Sequence, residues 1–276
     1  MSAWWLSNCL EIMSDVLLGS YFGGLGDNLQ FSTLPEEFSK QQGRDTYIVS
    51  ETTFRNKEIY DLVWGCNPYV KGVKDGRRIA GDTPEINFVN PNGYYSSITN
   101  WEYLHGLEPT NSLPKIYYEP KKLEGYEDTI LVDLSSISLK HNGDKSSFPP
   151  AYDEKEVLTE YNKLRYFNPK KKFAKVNFSQ DLGTNSFNFN SDLTITVDSI
   201  FHYCDLMNSV YGILGLYSGQ SALSAAIIEY NPDLLSMCLI SEAVYKKHCK
   251  QSGFIFENLK YIIIPETDEV RETTIH

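Results

Sequence analysis

Ser20-Tyr21-Phe22-Gly23-Gly24-Leu25-Gly26-Asp27-Asn28-Leu29-Gln30 decides the reading of this chain. The apolar run Val16-Leu17-Leu18 leads into it as a short buried strand. Leu29, Leu34 and Phe38 then recur at roughly helical spacing, which predicts a helix over residues 28–42. The glycines fall in a strand-to-helix turn. There a ligand can approach bare backbone, and the first N–H groups of the helix point outward. Asp27 stands at the mouth of that helix. A loop that binds an anion and carries its own carboxylate suits a phosphorylated substrate with a base beside it. The same residues also fit a purely structural turn, with glycine supplying left-handed backbone angles and Asp27 capping the helix. The spacing is not the dinucleotide fingerprint: Gly24 and Gly26 match its first two glycines, but Leu29 stands where the third belongs. No Gly-Lys-Ser/Thr follows, so the loop is not a P-loop.

The chain has 276 residues, 41% of them hydrophobic, enough for one large domain or two ordinary ones. Its formal net charge of −11 argues against nucleic acid as a partner and against a purely electrostatic membrane anchor. The 19 tyrosines are expected mostly to pack in strands, with some lining a binding cleft. Five cysteines (Cys9, Cys66, Cys204, Cys238 and Cys249) are scattered and form no C-x-x-C pair. Neither a disulfide framework nor a zinc site is expected, and a reducing cytoplasm fits best. The first residues lack a basic n-region, and no stretch is long and apolar enough to span a bilayer.

Strands and helices alternate along the chain. Strands are expected at 16–21, 46–49, 69–73, 85–89 and 115–118, and helices at 28–42, 55–64 and 98–107. The polar, breaker-rich stretch from Glu119 to Asp128 reads as a linker. Alternation then restarts. Strands are expected at 129–134, 173–178, 193–197, 211–217, 234–240 and 259–264, helices at 153–167, 199–209 and 222–229, and loops at 141–150 and 180–192. The pattern implies an α/β fold with two Rossmann-like halves and a cleft between them, each half with a glycine-containing strand-to-helix turn.

Both turns resemble those of heptosyltransferase-like glycosyltransferases, the family-nine group with the GT-B fold. In the first half, Gly26-Asp27 and Leu34-Pro35 match the family's pattern of small-residue turn, Gly-Asp and apolar helix with Leu-Pro. Tyr47-Ile48-Val49 and Asn67-Pro68-Tyr69-Val70 resemble the segments that follow. In the second half, Ser218-Gly219-Gln220-Ser221 and the small residues after it resemble the donor-side segment, where a strand ends in Ser-Gly. The likeness is dense over about a quarter of the chain. It departs from the family at Tyr217, where an Asp is usual, at Leu223 and its neighbours, where a His is usual, and at Ser135-Ser136-Ile137-Ser138, where a glycine turn is usual.

The resemblance implies an N-terminal acceptor domain over 1–122 and a C-terminal nucleotide-sugar-binding domain over 123–276. It implies an inverting, metal-independent transfer of a sugar from a nucleotide-sugar donor to a glycan or lipid-linked acceptor, with peripheral membrane contact and no cofactor. Asp27 is then the general base. Gly24, Gly26, Asn28, Ser218, Gly219, Gln220 and Ser221 are the substrate-binding residues, the last four serving the leaving diphosphate. Other readings stay open: another nucleotide-sugar enzyme such as an epimerase, a hydrolase, or a noncatalytic sugar- or nucleotide-binding module. His202 either faces the cleft or is structural. The run Lys170-Lys171-Lys172 either steers a lipid headgroup or a nucleotide or, as charge runs usually do, simply solvates a loop.

Overall fold

The computed structural model of this chain describes residues 15–82, 97–136, 152–180, 185–247 and 255–265. They divide into two compact units. One takes the described residues up to Glu119 together with 255 and 256, and the other takes the rest from Pro120 onward. The expected strand at 85–89 and loop at 141–150 lie outside the described residues.

The first unit runs β1 (Val16–Gly19), α1 (Leu25–Leu29), α2 (Leu34–Gln42), β2 (Thr46–Val49), α3 (Lys57–Tyr60), β3 (Val70–Lys74), β4 (Ala80–Gly81) and α4 (Ser97–Leu104). Its four strands lie parallel in the order β3-β2-β1-β4. The strand expected at 16–21 stops at Gly19. The helix expected at 28–42 is two helices. Leu34 and Pro35 open the second, and proline, which has no N–H to donate, is tolerated in a first turn but not inside a continuous helix. Gly43, in the left-handed region at φ 65°, closes it. The helix expected at 55–64 begins at Lys57, where the Asn56 side chain accepts the Ile59 N–H, and widens into a π-helical turn over Asp61–Gly65. The helix expected at 98–107 ends at Leu104.

No strand forms at 115–118, because this segment's polar groups bind sideways. The Lys115 N–H donates to Ser32 Oγ at 2.9 Å, and Lys115 Nζ and Tyr117 Oη donate to Glu36 at 2.8 and 2.9 Å. Ile116 is buried between them. These partners, with Lys40, hold the Glu36 carboxylate down at about 2, outweighing its burial, which pushes it up. The core on the helix side is apolar and aromatic, with Leu29, Phe31, Leu34, Trp64, Ile98 and Trp101 buried.

The second unit is a six-stranded parallel sheet in the order β12-β11-β10-β5-β7-β9. Its strands are β5 (Thr129–Asp133), β7 (Lys172–Phe178), β9 (Leu193–Val197), β10 (Gly212–Leu216), β11 (Leu235–Ser241) and β12 (Lys260–Ile264). Read from β9, these strands follow the doubly wound order 3-2-1-4-5-6. The loop expected at 180–192 contains β8 (Asn185–Ser186), paired antiparallel with β6 (Ser135–Ser136). The helices are α5 (Glu154–Phe167), α6 (Ile200–Ser209), α7 (Gly219–Ile227) and α8 (Glu242–Lys247), the last not expected from the sequence. Asp153, Ser199 and Ser218 cap the first three, each accepting a first-turn N–H, which contributes about 1 kcal/mol per cap. The α7 cap places the helix start at Gly219 rather than 222. Ile130, Val132, Val157, Tyr161, Leu214 and Leu216 form the centre of the core.

β1 and β4 pair only at Leu18 with Ala80 and at Gly19 with Gly81. Gly81 has φ 89°, and a Cβ there would stand 1.9 Å from the Gly19 carbonyl oxygen. Its N–H donates to His105 Nε2 at 2.9 Å, while His105 Nδ1 donates to the Trp101 carbonyl at 2.6 Å. Both ring nitrogens are used by the neutral form, and burial holds His105 down at about 4. Gly81→Ala is expected to destabilise the chain by about 3 kcal/mol or more in urea unfolding, since backbone meets backbone and φ is unfavourable. An alanine variant of parental stability would refute the contact. His105 also sets a pH dependence. Its folded pKa lies below the unfolded value, so its contribution is present above pH 6.5 and is lost as pH falls toward about 4. Asp27, Asp82 and Glu102, all raised by burial, work in the opposite sense. The difference between the parent and His105→Gln should therefore shrink by on the order of 2 kcal/mol between pH 6.5 and 4. A difference independent of pH would contradict it.

Candidate active site

In a parallel α/β sheet, ligands bind outside the carboxyl ends of the strands, where the strand order reverses. In the first unit that place lies between β1 and β4. The chain leaves β1 into Ser20–Gly24 and leaves β4 into Asp82, so the two segments emerge side by side. Asp82 Oδ1 accepts the Tyr21 N–H at 2.8 Å, and the Ser20 hydroxyl stands 3.4 Å from Oδ2. Arg78 stacks 3.4 Å from the Tyr21 ring centroid and lies 3.6 Å from the Asp82 carboxylate. Two polar atoms here, Thr52 Oγ1 and Arg78 Nε, are buried with no partner among the described residues.

Asp27 is the third residue of α1. One carboxylate oxygen, Oδ2, accepts the Gly24 N–H at 3.1 Å, the carboxylate half of a capping box. Among the described residues no group donates a hydrogen bond to its second oxygen. A Cβ at Gly24 would stand 2.5 Å from Asp27 Oδ2 and 3.4 Å from the Arg55 guanidinium, so only glycine leaves the carboxylate and the cation this room. The Arg55 N–H donates to the Gly23 carbonyl at 3.0 Å and fastens its own loop to the turn. Partial burial raises the Asp27 carboxyl above the ordinary aspartate range, and the Arg55 charge and the Gly24 N–H offset part of the rise. Asp82 is raised as well, by burial first and also by the nearby Asp27 charge, against the Tyr21 N–H, Arg78 and Ser20. Two desolvated carboxyls thus share a rim with two guanidinium groups. Such a place can take a proton from a hydroxyl and hold a polar ligand.

The other expected residues of this loop have different surroundings. Asn28 is fully buried: its Nδ2 donates to the Gly24 carbonyl at 2.8 Å and its Oδ1 accepts the Trp64 indole N–H at 3.0 Å. It braces the loop from behind and faces no solvent. Gly24 is buried and its N–H is committed to Asp27, while Gly26 remains half-exposed. The loop's own carboxylate thus occupies the place at the helix mouth where the sequence suggested an anion.

In the second unit the order reverses between β5 and β10, and the turn after β10 is Ser218–Ser221. Ser218 Oγ accepts the Gln220 N–H at 3.3 Å, and Ser221 Oγ donates to the Ser218 carbonyl at 2.7 Å. Among the described residues the Gly219 N–H has no acceptor, so a first-turn donor and the positive end of α7 stay open. Gln220 and Ser221 are buried, and Gln220 Oε1 has no donor among the described residues. Across the reversal, β5 ends in Asp133, whose carboxylate accepts the Ser135 hydroxyl at 2.5 Å, the Ser135 N–H at 3.2 Å and the Tyr203 hydroxyl at 2.8 Å. Burial raises the Asp133 carboxyl. His202 accepts the Asp198 N–H and donates its own N–H to the Ser199 cap, a helix-end arrangement.

Asp82 and Asp133 were not among the residues singled out in the sequence. Asp133 had a signal, as the acidic end of the apolar run Ile130-Leu131-Val132. Asp82 follows a two-residue strand inside a polar stretch and had none.

No protein-family model matches this chain, and no curated protein matches it in sequence. Solved structures do share its fold. It is similar to a glycosyl transferase family 9 protein from Veillonella parvula DSM 2008, with a TM-score of 0.54 and 10% identity over 96% of this chain and 89% of that one. It is similar to the E. coli heptosyltransferase WaaC, solved with ADP, with a TM-score of 0.54 and 8% identity over 91% of this chain and 93% of that one. It is also similar to the iron-containing dodecameric glycosyltransferase TibC from enterotoxigenic E. coli H10407, with a TM-score of 0.51 and 15% identity, covering 83% of this chain and 58% of that one. The chain thus matches less than two thirds of TibC's length. With its two parallel α/β units, of four and six strands, this chain has the GT-B fold of the heptosyltransferases.

Proposed function

We propose that this chain is a glycosyltransferase that moves a sugar from a nucleotide-sugar donor to a hydroxyl of a glycan or lipid-linked acceptor. The observation that carries the reading is Asp27. It holds its loop with one carboxylate oxygen, keeps the other without a hydrogen bond among the described residues, and is raised by burial at the point where its sheet reverses. The fold shared with heptosyltransferases, one of them solved with ADP, supports the donor class.

In this reading residues 1–122 serve the acceptor and 123–276 the donor. The open oxygen of Asp27 takes the proton of the acceptor hydroxyl as that oxygen attacks the anomeric carbon. The bond from the anomeric carbon to the diphosphate breaks as the new one forms, which inverts the anomeric configuration. The Gly219 N–H and the positive end of α7 receive the charge that grows on the leaving diphosphate, a role that needs no metal. Arg55 and Arg78 steer polar groups of the acceptor, and Asp82 fixes the loop that carries Asp27. The cytoplasm suits the free thiols of Cys66, Cys204 and Cys238.

A thermal-shift screen against nucleotides and nucleotide-sugars tests the donor side. A true donor at about a hundred times its Kd should stabilise the chain by about 2.7 kcal/mol, a rise of a few degrees. Gly219→Pro, which removes the open N–H, should abolish that rise at unchanged basal Tm, since proline is tolerated in a first turn. A parental rise in the variant would remove the turn from the donor site. Turnover that chelators abolish and manganese restores would overturn metal independence. On the acceptor side, the rate should fall as pH drops through the raised pKa of Asp27. Arg55→Gln should move that fall to higher pH, because the cation that offsets part of the rise is gone. An unmoved profile would show that Arg55 does not act on the Asp27 carboxyl.

A further inference from the structure

We propose that the Tyr21 ring is the floor of an acceptor subsite and takes one uncharged sugar ring on its open face. This rests on the acceptor side of the function proposed above and names what that side recognises. Tyr21 is 54% exposed and Phe22 is 65% exposed, although both stand in the glycine turn that carries Asp27. Two adjacent aromatic side chains in water at a polar site are an unusual use of apolar surface. The backbone beneath them is held. The Tyr21 N–H donates to Asp82 Oδ1 at 2.8 Å. The Ser20 hydroxyl donates to the Phe22 carbonyl at 2.8 Å and accepts the Phe22 N–H at 3.2 Å.

The Tyr21 ring has a covered face and an open one. The guanidinium carbon of Arg78 stands 3.4 Å from the ring centroid and covers one side. The stem of Arg78 lies in turn over Gly19, where a Cβ would stand 3.0 Å from the Arg78 Cδ. Gly19, guanidinium and ring thus form successive layers, and the ring's exposure is that of its other face. A planar guanidinium stacked on a ring fixes the ring's orientation. A platform ordered before the ligand arrives loses little freedom when the ligand binds.

The charges near the ring select the ligand. Arg78 lies 3.6 Å from Asp82, and the Arg55 charge acts on Asp27. These four groups carry no net charge. A phosphate or carboxylate on the ligand meets both aspartates as well as both arginines, and a lipid chain would strip water from all four charges. A pyranose meets both demands. Its C–H groups make a flat apolar face for the ring, while its hydroxyls donate to carboxylates and accept from guanidinium N–H groups. The reach is short. Tyr21 stands three residues before Gly24, whose N–H binds Asp27, a span of at most about 10 Å of chain. A sugar on the open face, or the next sugar of the same glycan, brings a hydroxyl to the open oxygen of Asp27.

Binding of the labelled full chain to an array of immobilised neutral, phosphorylated and carboxylated glycans tests this. The parent should retain neutral glycans. Tyr21→Ala should weaken that binding about tenfold or more at unchanged Tm, and Tyr21→Phe should keep it within about twofold. A parent that retains no glycan, a preference for the charged glycans, or a Tyr21→Ala variant that binds like the parent would overturn the proposal. Adenosine or uridine that displaces the glycan would assign the ring to a base and overturn it too. The bound glycan then serves as acceptor in a turnover assay, where Tyr21→Ala should raise its KM about tenfold and leave kcat within about twofold. An unchanged KM would end this proposal and leave the transferase reading standing. Binding that needs Tyr21, in a chain that turns over no nucleotide-sugar, would end the transferase reading and leave the subsite standing.

Discussion

The contact between Gly19 and Gly81 is the constraint on which the first unit's candidate site depends. Two strands pair over only two residues, so little ladder holds them, and the pairing survives because neither glycine brings a side chain to the contact. A Cβ at Gly81 would collide with backbone, which cannot move aside as a flexible side chain can. His105 takes the Gly81 N–H and fixes the strand from the α4 side. The result is that the turn after β1 and the acid after β4 leave the sheet together. Asp82 then binds the Tyr21 N–H, and the loop that carries Asp27 is held at both ends.

The two units apply one rule twice. Each reverses its strand order once, and at each reversal an acid ends or follows one strand while a strand-to-helix turn follows the other. In the first unit the acid is Asp82 and the turn carries Asp27; in the second the acid is Asp133 and the turn carries Ser218. The two turns differ in how they treat their helix mouths. Asp27 fills the first with its own carboxylate. Ser218 caps the second with a hydroxyl and leaves the Gly219 N–H open. On the function proposed above, this difference suits the first turn to a base and the second to a diphosphate. Capping and catalysis are compatible at Asp27, because each needs a different oxygen.

Much of this was legible in the sequence where a residue acts within its own turn. Asp27 and Ser218 could be found because strand, small residues and helix follow one another along the chain. Strand alternation also located the second sheet to within a residue or two. What the sequence hid depends on distant partners. Asn28 reads as a polar loop residue, yet its amide oxygen accepts the indole N–H of Trp64, thirty-six positions on, and its amide nitrogen donates to the Gly24 carbonyl. Lys115, Ile116 and Tyr117 alternate like a strand, but Ser32 and Glu36 take their polar groups before any neighbour can. Asp82 sits in a polar stretch with no periodic signal, and its importance arises from Ser20 and Tyr21 across the sheet and from Arg78.

The central claim is that Asp27 serves as helix cap and general base at once. Steady-state turnover and urea stability of Asp27→Asn, measured on one preparation, test it most directly. An asparagine Oδ1 at this third helical position can still accept the Gly24 N–H, but its amide cannot take up the proton. The variant should therefore keep parental stability and donor binding, while turnover falls by about two to four orders of magnitude. A variant that folds, binds donor and turns over at the parental rate would contradict the account and leave Asp27 a cap alone.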